Sequence, residues 1–344
     1  MKMMINFFLS LILILMCSCS HWALKDNLTL RNIEGKAFGS TWELKYSDGA
    51  SRENLKTDIE DFLRDFDQEF STYRQDSIIS QFNQLPPQER LKVSSRFIKL
   101  LKMAQEFHLQ TQGAFDPSMG ETIRLWGFGG GQSGSIPSEK DLKLAQSHSG
   151  MKAIQWDESS HEVWKTHSLI LDVNAFAPGF AADLLAQDLE HRGIKNFVLN
   201  VGGEILFRGK KQGHESWVAG IETPDEEKEN DVFLAFKISN LALATSGNYR
   251  QFRIDQGLKK SHIISPFNHR PLQGEIISAS VIAPTAAQAD AWSTALMVLG
   301  EKGIPLAEIL GLKVILIKKT SSGQYKKLKA PSFEKYLKIN KLTP

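Results

Sequence analysis

The sequence predicts an α+β fold in which mostly antiparallel sheets are flanked by helices. Predicted strands outnumber predicted helices, the two kinds of element are interspersed, and several strands follow one another at hairpin spacing. This pattern favours a mostly antiparallel sheet over a doubly wound parallel one.

Four stretches have the apolar spacing or the end signals of helices. Residues 53–70 and 95–111 repeat apolar side chains at helical spacing. Residues 178–191 begin with a proline in the first turn, and residues 284–300 run from a Pro-Thr start to a glycine stop. Apolar runs predict strands at residues 38–47, 162–173, 196–201, 205–208, 217–222, 232–238, 251–254 and 276–283.

Two other segments and one histidine are expected to be solvated or mobile. Residues 127–138 contain a G-x-G-x-x-G pattern from Gly129 to Gly134, but no clear strand precedes it and Pro137 delays the next helix. We therefore interpret this segment as a loop rather than as a dinucleotide-binding turn. His108 is expected on the solvated side of its helix, and the lysine-rich segment after Lys318 is expected to be a solvated tail.

The composition excludes few classes of function. The chain of 344 residues is 42% hydrophobic and 23% charged, as is usual for a globular protein. Its formal net charge is +2, and no basic run is interleaved with aromatic residues. We therefore expect no nucleic acid among its partners.

The first residues resemble a bacterial lipoprotein signal peptide. Lys2 is followed by an apolar run at residues 7–16 and then by the sequence CSCS. The run is too short for a stable membrane-spanning helix but has the length of a secretory core. We predict a signal peptide over residues 1–18, with Cys19 as the lipidated first residue of the mature chain. An ordinary signal peptide that is cut nearby is the alternative.

The leader has two consequences for the rest of the chain. Cys17 and Cys19 are the two cysteines of the sequence, so the mature part has no disulfide framework and no thiolate metal site. Residues 19–33 are expected to be a polar tether. The protein is expected to be exported and anchored to the membrane by its lipid, at the periplasmic face of the inner membrane in a Gram-negative cell.

The helix predicted at residues 284–300 carries Asp290 and Thr294 one turn apart among apolar side chains. A helix that is apolar almost all round is normally buried, and residues four apart share a face. A buried carboxylate without a partner costs several kcal/mol or takes up a proton. Hard oxygens suit Mg²⁺ or Ca²⁺. In the alternative interpretation the threonine bonds its own helix and a neighbour caps the aspartate.

Several further motifs contain residues that could contact a ligand. The segment LDVNAFAPGFAADLL, residues 171–185, is a strand, a turn and a helix N-terminus, and amides at such a terminus bind phosphate oxygens. The strand LNVGGEI allows close backbone approach at its two glycines. The remaining motifs are STYRQDSIISQFN, GAFDPSMG, LATSGNYRQF and SHIISPFNHRPL.

Together these motifs resemble the FAD:protein FMN transferase family, the ApbE-type flavin transferases. The resemblance covers about residues 38–300, and the order of the motifs is that of the family. It implies an α+β fold related to the tunnelling fold and a catalytic domain spanning residues 34–344.

The resemblance also implies an activity. Family members bind FAD with Mg²⁺ between its phosphates and transfer the FMN moiety to a threonine hydroxyl of a target protein, releasing AMP. Their targets carry a D-[GS]-A-[ST]-like motif, often in membrane redox subunits. By the matching positions, the metal ligands would be the Ala177 carbonyl, Asp290 and Thr294. Flavin and adenosine contacts would come from Phe38, Tyr73, Arg74, Ala114, Phe115, Asp116, Asn174, Phe180 and Ile264.

A threonine hydroxyl is a weak nucleophile, and His262 in the SHI motif is our candidate for the catalytic base. Alternatively, this histidine only steadies its strand. Arg250 is interpreted as structural. The chain departs from the family pattern at residues 173–176 and at Pro178, Phe180 and Ser293. These departures concern the positions that would supply the third and fourth ligands of the metal.

Two other functions compete with flavin transfer. An FAD pyrophosphatase would use water in place of threonine and release FMN and AMP. A lipid-anchored flavin-binding protein would hold FAD without a metal and leave it intact, and the Asp290–Thr294 pair argues against it.

Overall fold

One large antiparallel sheet forms the centre of the protein. The structure is a computed structural model. It describes residues 30–47, 53–129, 136–211, 215–224, 232–248, 252–255, 258–320, 322–340 and 342. The strands are β1 (Arg31–Ala37), β2 (Ser40–Tyr46), β3 (Leu91–Lys92), β4 (Ile154–Asp157), β5 (Glu162–Lys165), β6 (Phe197–Val201), β7 (Glu204–Arg208), β8 (Trp217–Glu222), β9 (Val232–Ile238), β10 (Leu241–Gly247), β11 (Phe252–Asp255), β12 (Leu258–Ser261), β13 (Ile264–Ser265), β14 (Arg270–Pro271), β15 (Ile276–Ala283), β16 (Lys313–Lys319) and β17 (Tyr325–Lys329).

The helices are interspersed among these strands. They are α1 (Leu55–Phe70), α2 (Ile78–Gln84), α3 (Ser95–Gln110), α4 (Gly120–Leu125), α5 (Glu139–Ser147), α6 (Ala177–His191), α7 (Ala286–Leu299), α8 (Ile304–Ile309) and α9 (Pro331–Asn340). The four helices predicted from the sequence correspond to α1, α3, α6 and α7, and their ends differ from the prediction by one or two residues.

The large sheet has the strand order β1-β2-β6-β7-β10-β15-β16-β17, and every neighbouring pair in it is antiparallel. Smaller sheets pair β3-β5-β4, β8-β9, β11-β12 and β13-β14. The predicted α+β class with mostly antiparallel sheets is therefore confirmed.

Helices α6 and α7 lie against the middle of the large sheet, where they contact β6, β7, β10 and β15. Helices α1 and α3 contact these two helices in turn. The last six residues of β15 are buried, which places this strand in the core between layers. The apolar circumference of α7 is explained in the same way, because both of its sides are covered.

Strand β2 begins two residues later than predicted, because Phe38 and Gly39 form a tight turn. Their φ angles are +54° and +71°, and Ala37 pairs with Ser40 across the turn. Two successive positive φ angles are the signature of the hairpin turn that matches strand twist. The predicted tether is wrong at residues 31–33, which belong to β1, since Ile33 packs against the core.

The strand predicted at residues 162–173 is shorter in the structure. Strand β5 ends at Lys165, and Ile170 forms a single parallel bridge with Met119. The backbone beyond Lys165 is held by isolated backbone bonds, such as the one from the Asp172 N–H to the Pro117 carbonyl at 2.8 Å, and by side chains. Lys165 Nζ donates to the Leu169 carbonyl at 3.1 Å, and Asn83 bonds both backbone groups of Leu171 at 2.8 and 2.9 Å.

The C-terminal segment is not a solvated tail, contrary to the prediction. Strand β17 extends the large sheet, and α9 packs on β9 and β16. Phe333 is fully buried, with its ring centroid 6.0 Å from that of Phe236. Phe333 and Leu337 lie four residues apart and form one apolar face, which the many lysines around them obscure in the sequence.

The predicted signal peptide and Cys19 lie outside the described residues. In the part of the chain that the structure describes, no helix combines the length and the apolar character needed to cross a bilayer.

Candidate active site

The site is built where α6 and α7 meet. A Cβ atom at Gly179, in the first turn of α6, would lie only 2.6 Å from the carbonyl oxygen of Ala286 at the start of α7. The two helix starts therefore touch backbone to backbone, which only glycine permits at this position.

Asp183 fixes this contact by capping α7 from the neighbouring helix. Its two carboxylate oxygens accept hydrogen bonds from the backbone N–H groups of Ala286 and Ala287 at 2.8 and 2.9 Å. These N–H groups have no partner inside their own helix. Burial raises the pKa of Asp183 to about 6. No role was predicted for Asp183, although it lies in the segment LDVNAFAPGFAADLL.

Asp290 points into the interior from α7, as predicted. It is 6% exposed, and its Oδ2 atom is buried without a hydrogen-bond partner. Burial raises the pKa of this carboxylate well above its ordinary value, although a hydrogen bond from the Gly179 backbone N–H opposes the increase. The negative charge of Glu204 raises it further. An unpartnered buried carboxylate is costly, so this oxygen requires a proton or a cation.

Thr294 lies one turn beyond Asp290 and is half-buried. Its hydroxyl is 3.1 Å from Ser246 Oγ on β10, and Ser246 Oγ is also 2.7 Å from Ser293 Oγ. Ser293 donates to the Asp290 carbonyl at 2.8 Å. Ser246 of the ATSG motif is therefore hydrogen-bonded to the hydroxyl groups of Ser293 and Thr294 on α7.

The oxygens at this site fit a hard divalent cation. Asp290 supplies an unpartnered carboxylate oxygen, Thr294 shares its helix face, and Ala177 begins the helix turn whose Gly179 bonds Asp290. Among the described residues no group of three or more His, Cys, Asp or Glu side chains could hold a metal. A carboxylate, a hydroxyl and a backbone carbonyl form a different donor set, one that leaves positions for other oxygens.

The GAFDP motif follows α3 in a tight turn. The Phe115 carbonyl accepts from His108 Nδ1 at 3.0 Å, and the Phe115 ring packs edge-on against Phe176 at 5.4 Å. Asp116 accepts from the Ser118 backbone N–H at 2.9 Å. His108 is therefore engaged with this turn, and the prediction that it is solvated is wrong. The Ala114 and Phe115 side chains are buried, so these two residues offer mainly backbone to a ligand.

Three of the predicted FAD contacts lie on an open rim. Tyr73 is 68% exposed, and the pKa of its hydroxyl is raised by partial burial and then by the charge of Asp172. Asn174 is exposed and donates to the Thr72 hydroxyl at 2.9 Å. Arg74 pairs with Asp76 at 3.0 Å. The structure thus brings Tyr73 and Asn174 to one part of the surface through Thr72.

The other predicted contacts are more enclosed. Phe38 occupies the β1–β2 turn, with its ring centroid 5.5 Å from that of Phe66. Phe180 is 1% exposed, and its ring packs at 6.0 Å from Phe66 inside the core. Ile264 is buried in β13. The Phe180 ring is therefore committed to the core, and a direct contact between it and a ligand remains a prediction.

His262 is half-buried between β12 and β13. Its neighbours are held in place, since Ser261 Oγ accepts from the Ile263 N–H at 3.1 Å. Arg250 lies outside the described residues.

His269, for which no role was predicted from the sequence, joins this segment to α4 and to Trp126 directly after it. His269 Nδ1 is 2.7 Å from Thr122 Oγ1, and its carbonyl accepts from the Trp126 indole at 2.8 Å. Burial lowers the pKa of His269. The only sequence signal was its position inside the motif SHIISPFNHRPL.

Gly131 and Gly134 of the glycine-rich pattern lie outside the described residues, so its interpretation as a loop remains a prediction. Helix α4 precedes it in place of a strand. A Cβ atom at Gly129 would lie 2.7 Å from Asp172 Oδ2, so this glycine permits close packing on the buried Asp172.

A model of the ApbE family matches residues 38–316, most of the chain and every element of the site. The chain belongs to the ApbE family. Two curated relatives are each named FAD:protein FMN transferase. The one from Vibrio cholerae serotype O1 is 31% identical over 313 residues, covering 89% of this chain and 92% of the relative. The one from Escherichia coli strain K12 is 33% identical over 312 residues, covering 89% and 88%.

Solved structures of ApbE proteins have the same fold. The flavin transferase ApbE from Vibrio cholerae superposes with a TM-score of 0.80 at 30% identity, covering 90% of this chain and 100% of that one. The apo form of the Pseudomonas stutzeri flavinyl transferase ApbE gives 0.81 at 28% identity, covering 90% and 96%. The ApbE resemblance of the motifs is therefore confirmed, as is the prediction that this chain is an enzyme, a transferase.

Proposed function

We propose that this chain transfers the FMN moiety of FAD to a threonine hydroxyl of a target protein, releases AMP and depends on Mg²⁺. Membership of the ApbE family and the name shared by its relatives support FAD as the substrate. The Mg²⁺ requirement, the threonine acceptor and the release of AMP go beyond those names.

The observation that carries the cation requirement is the buried, unpartnered Oδ2 of Asp290. A lipid-anchored protein that only binds flavin would not need such a carboxylate. The Ala177 carbonyl, Asp290 and Thr294 would hold the ion. When bound, the ion would neutralise charge on the diphosphate, which is much of what phosphoryl transfer requires.

The other residues of the site would bind and orient the dinucleotide. Tyr73 and Asn174 on the open rim are accessible to the flavin or the diphosphate. Asp116 has one oxygen bonded to Ser118, and its other oxygen lies 3.8 Å from His108 Nδ1, so it could accept from ribose or adenine groups. Holding the reacting groups in register supplies a large part of the acceleration in such transfers.

His262 is the proposed base. Neutral imidazole near pH 7 can take the proton of the acceptor threonine. The threonine oxygen then forms a bond to the phosphorus of the FMN moiety, and the bond from that phosphorus to the AMP oxygen breaks. AMP leaves with the electron pair of that bond.

The acceptor is proposed to be a protein with a D-[GS]-A-[ST]-like motif, such as a membrane redox subunit. The proposed export signal and the lipid at Cys19 would place the enzyme at the same membrane. Incorporation of radiolabelled palmitate into the wild-type chain and its loss in Cys19→Ser would support this location. Unlabelled wild-type chain would contradict it.

The activity is tested by incubating the purified protein with FAD, Mg²⁺ and an acceptor that carries the motif. The expected product is an acceptor band with covalent flavin fluorescence, together with one AMP for each flavin attached. Asp290→Asn should reduce the rate by about 100-fold or more, since the metal stabilises the transition state by several kcal/mol. The matched control is Asp65→Asn, an exposed acid of α1, which should leave the rate unchanged.

Other results would favour the competing functions. Rapid AMP release without an acceptor would indicate an FAD pyrophosphatase. Tight FAD binding that survives EDTA and leaves FAD intact would indicate a flavin-binding protein. Full activity of Asp290→Asn would contradict the proposed cation site.

A further inference from the structure

Glu204 is a second acidic residue beside α6 with a buried oxygen, and neither the sequence motifs nor the relatives' names assign it a role. It opens β7, directly after the Gly202–Gly203 turn that joins β6 to β7. Its Oε2 atom is buried and has no hydrogen-bond partner. Of the buried side-chain oxygens in the described residues, only this one and Asp290 Oδ2 lack a partner.

The two oxygens lie at the same turn of α6. A Cβ atom at Gly202 would lie 3.2 Å from Glu204 Oε2 and 3.4 Å from Pro178 Cβ, so the Glu204 carboxylate and Pro178 border the same glycine. Asp290 is bonded by the backbone N–H of the next residue, Gly179. Pro178 and Gly179 both belong to the first turn of α6, which begins at Ala177.

The hydrogen bonds around this turn leave both oxygens without compensation. The Gly202 N–H donates to the Thr41 carbonyl at 3.0 Å, and the Gly203 N–H donates to Asn200 Oδ1 at 2.9 Å. The amides of the glycine turn next to Glu204 are therefore already used. Two like charges in a low-dielectric interior repel each other, and a divalent cation between them would remove both costs.

We infer that Glu204 is a further residue of the cation site, where its carboxylate joins Asp290 in holding the divalent ion. This inference rests on the proposed function, because it concerns the same ion. It explains why the turn before Glu204 consists of two glycines with φ of +75° and +116°. That conformation lets the chain reverse within reach of α6 and direct the first side chain of β7 at its N-terminal turn.

The test measures Mn²⁺ binding to the full-length protein by isothermal titration calorimetry. Bound metal is first removed with EDTA. Glu204→Gln should weaken binding about 10- to 100-fold, the range found when a side chain that supports a metal site is removed. Asp290→Asn should weaken it at least as much. Glu204→Asp keeps the charge on a shorter stem and should fall between wild type and Glu204→Gln. The control is Glu334→Gln on the exposed face of α9, which should bind like wild type.

Thermal unfolding gives a second readout that a purely structural role would not produce. In EDTA, at a pH where Glu204 is ionised, Glu204→Gln should melt at a higher temperature than wild type, because it removes a buried carboxylate that has no cation to pair with. With saturating Mn²⁺ its gain in melting temperature should be smaller than the wild-type gain. If Glu204 only stabilised the fold, the substitution would lower the melting temperature in EDTA.

The titrations separate the two proposals. If Asp290→Asn loses Mn²⁺ while Glu204→Gln binds within threefold of wild type, this inference is wrong and the proposed function stands. If the wild-type protein binds no Mn²⁺, the proposed cation dependence is wrong and the role of Glu204 is refuted with it.

Discussion

Replacement of Gly179 by alanine tests whether the contact between α6 and α7 builds the site. Two effects oppose each other. Alanine is favoured over glycine in a helix by up to about 1 kcal/mol, and less near the helix start. Against this, the new Cβ would meet three backbone atoms of Ala286 and Ala287 at 2.6, 2.7 and 2.8 Å.

The steric effect should dominate. Ordinary contact begins near 3.4 Å, so the helix starts must separate by roughly 0.8 Å, and backbone cannot rotate away as a side chain can. Overpacking of this kind costs about 1–3 kcal/mol. The net change should be a loss of about 1–2 kcal/mol in the free energy of unfolding, together with weaker Mn²⁺ binding because Gly179 bonds Asp290.

The assay is urea denaturation with and without Mn²⁺. Gln187, an exposed residue of the same helix, provides the control, because the difference between Gln187→Ala and Gln187→Gly measures helix propensity without a clash. The reasoning is refuted if Gly179→Ala is more stable than wild type by the control difference and binds Mn²⁺ normally.

Two further substitutions test other features of the fold. The pKa of Asp183 is about 6 in the folded protein and near 3.8 when unfolded, so the folded state prefers the protonated form. The stability of wild type relative to Asp183→Asn should therefore fall by about 3 kcal/mol as the pH rises from about 4 to about 6, and stay constant above that. Urea titrations across this range measure the difference, and parallel pH profiles would contradict it. Phe333→Ala should lower the free energy of unfolding by about 3–5 kcal/mol, because it empties a buried site in α9. Exposed Ile339→Ala in the same helix should change it by less than about 0.5 kcal/mol, and equal effects would show that α9 is not packed.

Periodic apolar patterns explain why much of the fold could be predicted. The spacing in α1 and α3 is local information, and the strands at 217–222, 232–238 and 276–283 have the bounds expected from the sequence. The C-terminal segment could not be read in this way. Its burial depends on Phe333 meeting Phe236 about a hundred residues away, a contact that no local pattern encodes.

The candidate site was predictable to the extent that its residues stand out alone. Asp290 is conspicuous because it interrupts an apolar helix. Asp183 and Glu204 do not stand out in the sequence, because their interest lies in contacts with distant residues. Asp183 accepts hydrogen bonds from the start of α7, and Glu204 lies with Pro178 at Gly202. The residues of the rim and His262 are placed by the structure, but their roles remain predictions.

The pair of hydrogen bonds between Asp183 and the start of α7 has a consequence for how a large ligand enters the site. Two hydrogen bonds and a backbone contact hold the two helix starts together, so we expect these starts to stay in place when a dinucleotide enters. Any movement that admits the dinucleotide would then occur in the segments around Tyr73 and Asn174. Both residues are exposed, and a hydrogen bond from Asn174 to Thr72 joins the two segments. We therefore expect the residues that would hold the ion to be preformed, and the segments around Tyr73 and Asn174 to change conformation when the ligand binds.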